Sequence, residues 1–88
     1  MKFKENDELY YVCPFYFSIE KVRVKIAVCE FNQIYYIDEV GAYLLESDLH
    51  VIFENAQKDA MEKLKKFYIK KMDEILNIDK NNLKINIE

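Results

Sequence analysis

Eighty-eight residues, 51% of them hydrophobic and 15% aromatic, make one folded domain and exclude a disordered chain, which would lack the aromatics. A net charge of −3, with Arg23 the only arginine, disfavours a protein that holds nucleic acid by neutralising phosphates. No apolar run approaches the roughly 20 residues of a membrane-spanning helix, so no membrane association is expected.

Met1-Lys2-Phe3-Lys4-Glu5-Asn6-Asp7 carries no apolar signal segment, and the expected location is the cytoplasm, where Cys13 and Cys29 stay reduced. The polar run Glu5-Asn6-Asp7-Glu8 reads as a turn. Leu9-Tyr10-Tyr11-Val12-Cys13 follows as a strand rich in aromatic and β-branched residues, stopped by Pro14. Residues 15–18 are aromatic and read as extended.

Residues 20–31 give the clearest strand. Val22, Val24, Ile26 and Val28 alternate with Lys21, Arg23 and Lys25, which predicts one buried face and one wet face. Ala27 and Cys29 then replace the charges, which implies cover on both sides. Asn32-Gln33 reads as a hairpin turn into the strand Ile34-Tyr35-Tyr36-Ile37-Asp38. Gly41 supplies the φ > 0 position of the next turn. Residues 42–45 read as a strand, 46–49 as a tight turn and 51–53 as a short closing strand.

The apolar period then changes. Ala60, Met61, Leu64, Phe67, Tyr68, Met72, Ile75 and Leu76 recur three and four apart, which predicts an amphipathic helix over 54–77 with Glu54 or Asn55 as N-cap. Such a helix outruns a sheet of short strands, so Tyr68 to Leu76 should overhang and need another surface. After a turn at 79–82, Leu83, Ile85 and Ile87 alternate with polar residues. That pattern predicts a terminal strand over 83–88, added to this chain's sheet or to a second copy. The expected architecture is α+β: a small antiparallel sheet or partial barrel of about five strands over 1–53, one long helix, and the terminal strand.

This order resembles the SH3-like, KOW-type small barrels found in short phage and mobile-element proteins. The resemblance rests on Asn6-Asp7-Glu8-Leu9-Tyr10-Tyr11-Val12, on Ile34-Tyr35-Tyr36-Ile37, on Tyr43-Leu44-Leu45-Glu46-Ser47-Asp48-Leu49, and on Val51-Ile52-Phe53 leading into the helix. It spans about Phe3 to Leu64; the long helix and the strand-like tail depart from it. It implies a non-enzymatic accessory protein, such as an inhibitor of a host defence system.

Catalysis finds no frame in these residues. His50 is the only histidine and reads as a polar turn residue, with Cys13 and Cys29 as small core hydrophobes. Two cysteines far apart and one histidine do not make a zinc site, and one glycine cannot build a phosphate loop. No enzyme activity, metal or cofactor is expected.

Three surfaces remain. Residues 1–53 hold nine acids against five bases, and with the tyrosines they offer Asp38, Glu39, Tyr43, Glu46, Asp48, Tyr35 and Tyr36 to a basic protein partner. Lys63, Lys66 and Lys70 share a helix face that could meet phosphates, the nucleic-acid alternative. Tyr68, Met72, Ile75, Leu83, Ile85 and Ile87 would join a homodimer. The leading expectation is a non-enzymatic protein-binding module.

Overall fold

The computed structural model describes residues 2–85. Five strands, β1 (Glu8–Val12), β2 (Ile19–Glu30), β3 (Gln33–Asp38), β4 (Tyr43–Leu45) and β5 (Leu49–His50), precede one long helix, α1 (Phe53–Leu76). The strands form one antiparallel sheet in the order β4-β3-β2-β1-β5. The α+β architecture is therefore the expected one.

The two outer strands of that order are joined by a single 3-10 turn, Glu46–Asp48. Laid flat, five strands would set them roughly 19 Å apart. A 3-10 segment advances only about 2 Å per residue, so the sheet has to curl. No ladder joins β4 to β5 among the described residues, and the sheet stays open.

The curl has a visible joint in β2. Val24 pairs with Asp38 and Ile26 with Ile37, so Lys25 is an extra residue opposite one step of β3. This bulge exchanges the faces of everything after it. Val22 and Val24 point to the core, whereas Ile26 is 55% exposed and Ala27 packs inward in its place. The single apolar face expected through Ile26 and Val28 is thereby corrected. The charges stop at Ala27 because the strand has changed sides, not because both sides are covered.

Other boundaries move for local reasons. Residues 15–18 are a turn rather than extended: Phe17 N donates to Cys13 O and Cys13 N to Ser18 O, with Phe17 at a φ of 59°. The closing strand is Leu49–His50, paired with Tyr11 and Tyr10, and not 51–53, because Phe53 already starts the helix. Ile52 is the N-cap and offers no side-chain oxygen, in place of the expected Glu54 or Asn55. The helix start is set by packing: the Phe53 ring lies 5.4 Å from that of Tyr10.

β1 is covered on both faces. Leu9 and Tyr11 face the curled interior with Phe3, Val24, Tyr36, Leu44 and Leu49. Tyr10 and Val12 face α1, where Ala56 and Ala60 are small enough to let the helix come close. Further along, Phe17 of the β1–β2 turn meets Phe67, with ring centroids 5.4 Å apart.

Twenty-four helical residues span about 36 Å at 1.5 Å each, and the molecule measures 54 × 28 × 26 Å. Its radius of gyration is 17.6 Å, against about 12 Å for a compact chain of this length. The described part of the tail, up to Ile85, does not join the sheet. Asp79 caps a 3-10 turn at Lys80–Asn82, and Leu83 to Ile85 belong to no strand. The predicted terminal strand is corrected to that extent; its remainder, including Ile87, lies outside the described residues. No helix among the described residues is long and apolar enough to cross a membrane.

Candidate functional site

The acidic and tyrosine residues expected to form one partner surface are dispersed, and several are structural. Tyr35 and Tyr36 are neighbours on a strand and so face opposite sides. Tyr36 is the inward one and is fully buried. Its hydroxyl accepts from the backbone N–H groups of Lys2 and Phe3, both at 3.0 Å, and donates to Glu46 Oε2 at 2.5 Å. Burial, followed by the Glu46 carboxylate, raises the Tyr36 pKa, so the phenol stays protonated. Tyr36 and Glu46 thus pin the N-terminal segment to the sheet.

Asp38 is spent on a turn, accepting from Val40 N at 3.0 Å and Ala42 N at 2.9 Å, beside Gly41 at a φ of 87°. Glu39 binds Arg23 at 3.1 Å, and Arg23 also reaches Glu8 at 2.7 Å. The hydrogen bond from Arg23 and the nearby charge of Lys21 hold the Glu8 carboxyl below its ordinary range. Of the seven residues, Tyr43, stacked edge-on against Tyr35, offers the most open surface.

Asp48 and Lys63, assigned by sequence to opposite hypotheses, are partners. Asp48 is buried, and Lys63 Nζ donates to its Oδ1 at 2.9 Å. Lys63 also donates to Asp59 Oδ2, one helical turn away, and His50 Nε2 donates to the same oxygen at 2.8 Å. His50 belongs to β5 on the face of Tyr10, so this network fastens the 3-10 turn, β5 and α1 together. Burial opposes the charge on Asp59, but hydrogen bonds from Lys63 and His50 outweigh it and leave its carboxyl below 3.8. Burial likewise opposes the charge on Lys63, and the bonds to Asp59 and Asp48 outweigh it and hold the amine above 10.5. Lys63 is therefore no phosphate contact. Lys66 and Lys70 remain exposed. Asp59 was missed by the sequence reading, although its i,i+4 spacing to Lys63 was there to be seen.

The open site is the helix. Along α1 the sheet-facing row is Phe53, Ala56, Ala60, Lys63 and Phe67. Beside it runs a second row, Met61, Leu64, Tyr68, Met72 and Ile75, with Ile69 and Leu76 on its margin. Apart from the half-buried Leu64, these side chains are between 54% and 82% exposed. A row of this size is one that a water-soluble helix normally buries. The expected overhang from Tyr68 to Leu76 is present, and Met61 and Leu64 extend it back beside the docked half. Its direction could not be read beforehand, because the periodicity merges both rows into one wide stripe. Two tail residues expected at the same interface, Leu83 and Ile85, are exposed and lie past the helix end.

Cys13 and Cys29 are free thiols, and no cluster of three or more metal-ligating side chains occurs among the described residues. No protein family matches the chain, and no curated protein or solved structure matches it.

Proposed function

We propose that this chain is a non-enzymatic protein-binding module whose contact surface is the second apolar row of α1. One observation carries the reading: Met61, Tyr68, Met72 and Ile75 are all more than half exposed on a helix whose sheet-facing row is separately satisfied. A preformed helix spares the backbone ordering cost of docking, the tyrosine ring is rigid and methionine adapts its shape, so the row suits an apolar groove or a second helix. The accessory role implied by the small-barrel resemblance fits such a module. The acidic face is secondary here, since Tyr36, Glu46 and Asp48 work inside the fold. The nucleic-acid reading is weaker by Lys63, which is held by two aspartates.

Capture by the immobilised protein from a native lysate, with and without nuclease, tests the proposal. Protein recovery that survives nuclease and is lost with Met72→Glu or Ile75→Glu is the expected result. Recovery that nuclease abolishes would replace it with nucleic-acid binding.

A further inference from the structure

We infer that the apolar row of α1 accepts the same row of a second copy, running antiparallel, with the two-fold axis at Tyr68. The inference rests on the protein-binding reading above and names its partner.

Three features of the molecule point to a second copy. First, the row is self-complementary. Met61, Leu64, Tyr68, Met72 and Ile75 are spaced 3, 4, 4 and 3 apart, a sequence that reads the same in both directions. Turning one helix about an axis at Tyr68 sets Met61 against the second copy's Ile75, Leu64 against its Met72, and Tyr68 against its Tyr68. A two-fold interface requires this self-matching, whereas a groove on an unrelated protein does not.

Second, the shape allows it. The sheet lies against Phe53, Ala56, Ala60 and Phe67, in the first part of the helix and on the neighbouring row. An antiparallel partner lays its free half along the docked half of the other copy, on the side the sheet leaves bare. Met61, beside the docked half, is 70% exposed, so that side is open to a partner helix, and both overhangs gain a neighbour. A parallel pair would leave both overhangs side by side at one end, with both sheets at the other.

Third, the area is sufficient. Met61, Tyr68, Ile69, Met72, Ile75 and Leu76 are 54–82% exposed, and at about 200 Å² for a residue of this size they present roughly 800 Å² per copy. That is about what each partner of a stable interface buries.

The test is sedimentation equilibrium on the full chain from low to high micromolar concentration. The expected result is a dimer in which Met72→Glu or Ile75→Glu shifts the mass to the monomer without loss of helical circular dichroism. With Cys13 and Cys29 replaced by serine, an equal mixture of Met61→Cys and Ile75→Cys should oxidise to the mixed disulfide, because the antiparallel register sets residue 61 against the second copy's residue 75, and neither variant should cross-link alone. A dimer insensitive to Met72→Glu, or cysteine variants that cross-link to themselves and not to each other, overturns the antiparallel pairing. A wild-type monomer overturns it as well. In that case, row-dependent capture of another protein leaves the binding-module reading standing, and capture indifferent to the row removes both.

Discussion

Tyr36 shows how much of this small fold depends on one side chain. It fills the centre of the sheet's interior, and its hydroxyl is the only side-chain partner of the Phe3 amide and one of two for Lys2 among the described residues. Tyr36→Phe keeps the ring and removes the oxygen, leaving a buried N–H and the Glu46 carboxylate without their partner. A loss of roughly 1–3 kcal/mol is expected, read as a lower urea midpoint at unchanged slope.

Asp59 sets a pH window. Its folded pKa is depressed below 3.8, so its stabilising contribution is complete above that value and fades as the pH falls through the folded pKa. Lys63 is raised above 10.5, so its contribution is complete below that value and fades as the pH rises beyond it. The stability difference between the wild type and Asp59→Asn should therefore be roughly 1–3 kcal/mol near pH 7, where Asp59 and Lys63 are both charged. It should shrink towards zero in acid below 3.8. Urea titrations of both proteins at several pH values measure it.

Among the elements, the β2–β3 hairpin carries an uncommon turn. Phe31 and Asn32 have φ of 51° and 63°, the two left-handed positions of a type I′ turn, where Asn-Gly is the favoured pair. A phenylalanine there costs about 1–2 kcal/mol of backbone strain, and it is 94% exposed, so no packing offsets it. Phe31→Asn should raise stability by about 1 kcal/mol, or about 4–8 °C in melting temperature for a domain of this size.

The elements also show what sequence could and could not reveal. The helix was legible because its apolar residues recur three and four apart from Ala60 to Leu76, over more than four turns. Most strands were legible from their aromatic and β-branched runs. The bulge at Lys25 was not, because Val22, Val24, Ile26 and Val28 alternate without a break, and the shift is demanded by the curl of the whole sheet. Leu83 and Ile85 have a strand's pattern but pair with none of the five strands. In Tyr35-Tyr36, the sequence showed that the two must face apart, and only the sheet's curvature decided which went inside. The site suffered most from this, since Tyr36, Glu46 and Asp48 looked like surface chemistry and are interior supports.

At the scale of the whole molecule, the chain has two parts with different needs. The curled sheet and the helix up to Phe67 support each other through two small cores and the Asp48–Lys63–Asp59–His50 network. The rest of α1 extends past the sheet with its apolar side chains in water. Such a segment is too short to be a stable helix alone, and it stays helical only as a continuation of the docked half until a partner covers it. This division is the reason to place binding on the helix and not on the acidic sheet. It is tested most directly by native-state amide hydrogen exchange at a concentration where sedimentation shows the monomer. The account predicts that amides of residues 69–76 exchange well before those of residues 57–67, whose opening requires breaking the sheet contacts. Equal protection along the whole helix would mean that its outer half is already covered by its own chain, and would contradict the account.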